Sequence, residues 1–381
     1  MQQVTPDVEA FARIRVIGVG GSGKNAVNHM INSKVRGVDF IVVNTDAQDL
    51  HHSFAKKKIH IGKNLTKGLG TGMNPDLGKR AAEETKEELQ EALKGSDMVF
   101  IAGGMGGGTC TGASAVVAKT AREMGALTVA VVTKPFSFEG LQRMRLAELG
   151  LEDLKKEVDA LIVIPNDRLL AVVSRDTTVT NAFAMCDDIL KQAVEGISDI
   201  ITTPGIINVD FADIRSVMEN AGSALMGIGT AAGEKRAEEA AKAAINSPLL
   251  DISINGAKGV LFAVAGSDDL GLLEIQDAAK IITESIDPNA RVIFGTSRDP
   301  KLKKGEIRIT VIASGFPEST APRTSSSLFQ FKGKGDDEKK ERPLPPIESK
   351  KEPLDESRPA AEVADDDWGA VPAFLRRSKL K

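Results

Sequence analysis

Residues 103 to 112 read Gly103-Gly104-Met105-Gly106-Gly107-Gly108-Thr109-Cys110-Thr111-Gly112, six glycines and two threonines within ten positions. The run lies between an apolar segment at Met98–Ala102 and a helix-like one at 113–123. Few chains can use such a loop except to hold phosphate. Without Cβ atoms the backbone folds tightly and brings several N–H groups against an anion, and the threonine hydroxyls and the following helix N-terminus add donors and positive dipole. A flexible linker is the plain alternative, but linkers rarely separate a buried-type strand from a helix.

A second cluster, Gly18-Val19-Gly20-Gly21-Ser22-Gly23-Lys24-Asn25, again follows a strand-like segment (Ile14–Ile17) and precedes a helical one expected over Ala26–Ile31. It satisfies the G-x-G-x-x-G dinucleotide pattern through Gly18, Gly20 and Gly23, with Asp46 after the next strand where a ribose-binding acid would stand. It also nearly satisfies the P-loop pattern, except that Asn25 replaces the magnesium-binding hydroxyl. A dinucleotide needs one such loop. Two clusters at strand ends of one sheet point instead to a mononucleotide with a longer phosphate chain, gripped from two sides.

The 381 residues suffice for two domains with accessory segments. A net charge of −4 leaves no basic excess to replace counterions, which argues against nucleic acid as the main partner. No run of 18 apolar residues occurs, and Met1–Arg13 lacks the order of a signal peptide, so a cytoplasmic protein without direct membrane insertion is expected. Two cysteines, Cys110 and Cys186, fit a reducing compartment, and the four histidines show no metal-ligand spacing.

Strand-like segments at 14–17, 40–43, 98–102, 127–132 and 160–164 alternate with helical ones at 26–31, 75–93, 114–124 and 141–156. This alternation predicts an α/β fold, a Rossmann-like parallel sheet covered on both faces, with ligand outside the carboxyl ends of the strands. The third glycine-rich turn, Gly68 to Pro75, precedes a helix and includes Gly70, Thr71 and Gly72. A long central helix follows over 179–203. Beyond it a smaller α+β domain is expected over 204–316, with a strand at 206–209, helices at 211–221 and 234–245, and strands at 258–265, 292–295 and 307–313. After a flexible stretch at 1–11, the first domain is taken as 12–178. Residues 317–364 have the composition of a disordered linker, and 365–381 place Trp368, Val371, Phe374 and Leu375 between acidic and basic clusters, as in a short motif that orders on a partner.

Several segments resemble the tubulin/FtsZ family of GTPases. The glycine loop resembles its G-G-G-T-G-T-G signature at Gly106–Gly112. VNTDAQ (43–48), KPFSFEG (134–140), IVIPNDRLL (162–170), GISDIITTPGIINVDFADI (196–214) and GSALMGIG (222–229) resemble it too. The resemblance implies a GTPase domain binding GTP or GDP, with Mg2+ and K+ as candidate cations, and head-to-tail polymerisation into protofilaments of a cell-division ring. It implies that Gly20, Gly21, Ser22, Gly23, Lys24 and Asn25 line the nucleotide, with Asp46, Gly70, Thr71, Gly72, Gly104, Gly106 and Cys110 in its surroundings. Gly107, Gly108 and Thr109 would donate to the phosphates. Thr133, Glu139 and Arg143 would lie around the ribose and phosphates, and Asn166, Phe183 and Asp187 around the guanine. Asp187 suits that role, because a carboxylate can accept both guanine's ring N–H and its exocyclic amine.

By pattern alone Asp210 and Asp213 are acids at a helix start, favoured there by the dipole. The resemblance implies more: with Asn208 they would complete the site of the neighbouring subunit within a catalytic loop at 205–213, positioning the attacking water. It also implies membrane-tethering and regulatory division proteins as partners of Asp365–Lys381. Four places depart from the family pattern. Cys110 stands for a signature glycine, Ala102-Gly103-Gly104 for Thr-Ala-Gly, Thr71 and Met73 for small residues, and Lys24 for a small polar one. Cys110 keeps open a GTP-binding structural protein with little turnover. An NAD-dependent Rossmann enzyme is the rival of another class, and it leaves the second glycine cluster, the Asp210/Asp213 loop and the tail unexplained.

Overall fold

The computed structural model describes residues 12–316, apart from 172, 174, 175, 204, 206, 208, 248–252, 268, 300 and 301. The expected N-terminal stretch, linker and tail motif, and Asn208, lie outside the described residues.

The chain opens with β1 (Ile14–Val19), α1 (Gly20–Asn32), β2 (Val38–Asn44), α2 (Ala47–His51), β3 (Lys57–His60) and α3 (Lys63–Thr66). It continues through α4 (Pro75–Glu84), α5 (Lys86–Leu93), β4 (Met98–Gly104), α6 (Thr109–Glu123), β5 (Leu127–Lys134), α7 (Leu141–Glu157) and β6 (Ala160–Pro165). Strands β1 to β6 are all parallel and lie in the order β3-β2-β1-β4-β5-β6. That is the doubly wound order, whose switch point falls between β1 and β4. Both long glycine clusters leave the sheet there.

Two features of this half differ from expectation. First, the helices begin earlier. α1 starts at Gly20 and α6 at Thr109, so the glycines and threonines form the first helical turns instead of a loop ahead of them. Glycine is a poor helix former, but here contact overrides propensity. A Cβ on Gly18 would meet the carbonyl of Gly23, and one on Gly23 would lie 2.5 Å from the carbonyl of Ala102, so the two glycines press α1 onto β1 and β4. Second, the helix expected over 75–93 is two helices. Thr85, at φ −109°, ends α4 and starts α5, and its hydroxyl accepts from the Gly62 N–H at 3.2 Å.

After β6 come α8 (Val179–Thr202), α9 (Phe211–Met218), β7 (Gly222–Ala232), α10 (Arg236–Ile245), β8 (Gly259–Gly266), α11 (Leu272–Thr283), β9 (Arg291–Arg298) and β10 (Glu306–Ser314). Residues 222–224 of β7 pair parallel with 160–162 of β6, while 225–232 run antiparallel to β10. β10 then pairs antiparallel with β8, and β8 parallel with β9. Expectation lacked α2, β3, α3, β7 and α11. In β7 the glycines at 222, 227 and 229 hide the apolar alternation, and Gly229 is glycine because a Cβ would strike the Ala240 carbonyl of α10. The strand expected at 206–209 is absent among its described residues. Instead Ile207 exchanges bonds with Thr296, its N–H donating to the Thr296 hydroxyl at 2.9 Å and its carbonyl accepting from the Thr296 N–H at 3.0 Å.

One face of the parallel sheet packs on α4 to α7 through residues such as Leu89, Leu93, Val117 and Leu154. The opposite face shares a core with α1 and with α8, whose Ile189, Leu190, Val194 and Ile197 are buried together with Leu261 of β8 and Ile312 of β10. α8 therefore packs on both sheets. The far face of the second sheet is closed by α10 and α11 around Phe262 and Ile309.

Candidate functional site

A cavity of about 350 Å³ opens at the switch point. Its phosphate-like end is framed by two helix N-termini. The N-caps of α1 and α6 are Val19 and Gly108; neither supplies a side-chain acceptor, and neither first turn carries an acid. α2, α4, α8 and α9 are capped by Asp46, Asn74, Thr178 and Asp210, whereas α3, α5, α7 and α10 also lack a side-chain cap; what sets α1 and α6 apart is that their first turns line the cavity. Two uncapped ends therefore aim their free N–H groups and positive dipoles into one cavity, an arrangement suited to a multiply charged anion.

The walls are held from behind. The Gly104 N–H donates to the Ser22 hydroxyl at 2.7 Å, tying the second loop to α1, and the Gly106 N–H donates to Thr111 at 2.9 Å. Thr109 meets the hydroxyls of Thr45 at 2.7 Å and Thr71 at 3.2 Å. At the rim, Arg143 pairs with Glu139, which also accepts from the Phe136 N–H at 3.0 Å.

The other end suits a purine. Phe183 of α8 is 41% exposed yet lines the cavity, its ring edge-on to the buried Phe136 at 5.5 Å. Asn166 is buried, and its side-chain oxygen has no hydrogen-bond partner among the described residues. An orphaned buried acceptor is costly unless a ligand satisfies it. Asp187 stands beside them, its carboxyl pushed up to about 6 by burial, with His29 and Lys24 pulling the other way. Guanine offers N–H groups to both acceptors, whereas adenine has no ring N–H on the matching edge.

The lining includes Gly20, Gly21, Ser22, Asn25, Thr71, Gly104, Gly107, Gly108, Thr109, Cys110, Thr133, Glu139, Arg143, Asn166, Phe183 and Asp187. Six residues singled out in the sequence stand elsewhere. Lys24 is buried in an ion pair with Asp49 at 2.5 Å, and Asn44 donates to the same carboxylate at 2.8 Å. Gly23 packs against β4 as described. Asp46 caps α2, accepting from the Asp49 N–H at 2.9 Å. Gly106 turns at φ +97° against the Arg143 carbonyl, and Gly70 and Gly72 provide left-handed bends ahead of α4. Pattern reading missed Met105, Pro135 and Leu190 as lining residues, and Thr45 behind Thr109; Cys186, expected beside the nucleotide because it precedes Asp187, does line the cavity. The signal for Thr45 was present, a hydroxyl directly after β2.

Asp210 and Asp213 are exposed and form a reciprocal cap on α9. Asp210 accepts from the Ala212 N–H at 3.2 Å, and Asp213 from the Asp210 N–H at 3.3 Å. They do not line the cavity. Asp187 is the ninth residue of α8; the far end of that helix lies about 22 Å from it along the axis at 1.5 Å per residue, and the aspartates follow that end in the chain, with Val209 and Ile200 both against Gly295.

Residues 13–174 match the GTPase domain of the tubulin/FtsZ family, and 222–317 match the FtsZ-family C-terminal domain. The chain belongs to the tubulin/FtsZ family of GTPases. FtsZ from M. jannaschii, solved as an empty dimer, is 46% identical, with a TM-score of 0.76 over 80% of this chain and 88% of that one. Two Haloferax volcanii proteins share the fold at lower identity. CetZ2, in a GTPγS-bound protofilament, is 21% identical with a TM-score of 0.69 over 80% of this chain and 94% of that one. CetZ1, a GDP-bound monomer, is 22% identical with a TM-score of 0.70 over 80% and 95%.

Family membership makes two departures from its pattern intelligible together. Cys110 is the second residue of α6, where a Cβ is tolerated, and its thiol turns into the core, 4% exposed and pushed up to about 11 by burial. The space it fills is the one that Gly103 leaves: a Cβ on Gly103 would lie 2.5 Å from Cys110 Sγ. The glycine missing at 110 reappears at 103.

Proposed function

We propose that this cavity binds GTP, guanine on Phe183, Asn166 and Asp187 and triphosphate on the α1 and α6 N-termini, and that Asp210 and Asp213 of a second copy complete the hydrolytic site. The observation that carries the reading is the pair of uncapped helix ends facing an orphaned purine-edge acceptor across one cavity. The wide separation of the aspartates from the cavity supports a shared site, since one chain cannot bring the two together. Copies stacked head to tail would then form protofilaments in the cytoplasm at the division site, and Asp365–Lys381 would recruit tethering and regulatory proteins.

In this mechanism the backbone N–H groups of the two loops take up charge that develops on the terminal phosphate. Ser22 and Thr111 keep those groups aimed, and Glu139 holds Arg143 at the rim. The incoming Asp210 and Asp213 orient water for in-line attack and accept its proton. Among the described residues no three histidine, cysteine or acidic side chains cluster to hold a metal. The hard donors lining the phosphate end are the hydroxyls of Ser22, Thr71 and Thr109. Mg2+ carried on the triphosphate fits them, and when bound it would neutralise phosphate charge; K+ would assist at the contact between copies.

The test is GTP hydrolysis against protein concentration. Turnover per molecule is expected to be negligible at low concentration and to rise above a threshold where sedimentable polymer forms. A concentration-independent rate would refute the shared site.

The Asp187 environment gives a second expectation. Its folded-state pKa is raised, so stability falls as pH rises from about 4 through about 6, and above that range the protein carries a partly desolvated charge. Guanine engages the ionised form, so GDP affinity should weaken as pH falls below about 6. Asp187→Asn should remove that pH step and raise the stability of the empty protein at pH 7.5 by about 1 kcal/mol. Calorimetric titration with GDP from pH 5 to 7.5 reads the first, and thermal melts the second.

A further inference from the structure

Lys24 is a buried cation that the mechanism leaves idle. It is the fifth residue of α1, and its ammonium lies 2.5 Å from Asp49 Oδ1, while Asp49 Oδ2 accepts from the Asn44 side chain at 2.8 Å. A buried ion pair adds little net stability over well-packed apolar side chains of the same size, because both charges lose their water. Its position suggests another role. Asp49 Oδ2 lies 3.5 Å from where a Cβ on Gly21 would stand, so α2 lays a carboxylate against the first turn of α1, the turn that lines the cavity.

The electrostatic setting makes that carboxylate matter. The charged side chains lining the cavity are Glu139, Arg143 and Asp187, which sum to one negative charge, and Arg143 is already paired with Glu139. Among the described residues no lysine lines it, so phosphate has to be held by helix ends and backbone donors. An acid beside a helix N-terminus is favoured by the same positive dipole that a bound anion uses, and two anions at one end repel. Bare, Asp49 would compete with phosphate for the end of α1. Lys24 reaches it from α1 itself and cancels most of its field at the cavity.

Resting on the GTP reading above, we propose that Lys24 is a positioning residue for the nucleotide that acts through Asp49: it takes up the carboxylate's charge so that the first turn of α1 meets phosphate unopposed. The balance of the pair then sets how tightly the site holds phosphate charge, although neither residue touches the ligand.

The experiment titrates GDP and the non-hydrolysable analogue GMPPCP into the full chain below its polymerisation threshold, with EDTA so that no divalent cation masks the phosphates. Burial pushes the Asp187 carboxyl up to about 6, opposed by His29 and then by Lys24, so the comparison is made at pH 8, where that carboxyl is ionised. Lys24→Met should weaken GDP about fivefold and GMPPCP about tenfold, whereas Asp49→Asn, which leaves the lysine unopposed, should tighten both by about the same factors. The double variant should return both affinities to within about twofold of the unmodified chain. A charge effect gives the two single variants opposite signs, and a mechanical clamp cannot. If the pair only held α2 against α1, both would weaken binding, and that result overturns the proposal, as does no change in either. Thermal melts establish that the empty variants are folded, and Asp49→Asn carries the test alone should Lys24→Met fail to fold. If the unmodified chain bound neither nucleotide, the GTP reading itself would fail, and this inference with it.

Discussion

Asp213→Asn and Asp210→Asn are each expected to lower GTP turnover by about a hundredfold or more while leaving GDP affinity within about twofold. The asparagine versions are chosen because the two carboxylates also cap α9, and asparagine caps a helix as well as aspartate does. Loss of activity with an unchanged melting curve would then report the missing charge and not a frayed helix. Mixing is the sharper measurement. A variant subunit still carries an intact nucleotide cavity but presents a defective face to its neighbour, so small amounts added to unmodified protein should depress hydrolysis more than dilution predicts. Loss of nucleotide binding by the variant alone would show that the loop after α8 serves folding, and the shared-site mechanism would be wrong.

Gly103→Ala is expected to destabilise the empty protein by about 2 kcal/mol, read as a lowered denaturant midpoint. Alanine at 103 is what the family pattern carries, and here it would be harmful because its methyl would lie 2.5 Å from Cys110 Sγ and 3.0 Å from the Val19 carbonyl. Cys110→Ala removes the sulfur and leaves a methyl contact of 3.7 Å at that position. The double variant should therefore be less destabilised than the sum of the two single variants, by a coupling of about 1 kcal/mol. Strict additivity would mean that the two departures arose independently. The same packing makes Cys110 a poor target for thiol reagents, since its sulfur is buried and its thiol is held neutral.

These contacts mark the boundary of what the sequence makes legible. Glycine clusters after apolar runs locate the ends of β1 and β4, because little else places so many glycines between a strand and a helix. They do not reveal that the glycines are already helical, since propensity argues against it and the deciding contact, Gly23 on Ala102, spans nearly eighty positions. Lys24 is expected to line the nucleotide from its place among the glycines, and its ion pair with Asp49, brought to it by the pairing of β1 with β2, is not visible in the sequence. β7 is hidden because three of its eleven residues are glycines, of which Gly229 answers to α10 and Gly222 to the seam with β6, not to strand propensity. The absence of caps on α1 and α6 could have been found in the sequence. Val19 and Gly108 are poor N-caps, and two helices begun without one invite the question of what satisfies their donors.

The double membership of β7 bears on how the molecule transmits force. Torsion between the two sheets cannot dissipate in a slack connector. It falls on the three-pair seam between 160–162 and 222–224, with Gly222 at φ +68° as the pivot. α8, wedged into the hydrophobic core beneath both sheets, is a second strut beside it. Two struts acting in parallel form a stiff lever arm with the cavity at one tip and the Asp210–Asp213 turn at the other. On the shared-site reading, a displacement of Phe183 or Asp187 at one end of α8 would reach the Asp210–Asp213 turn through this packed path.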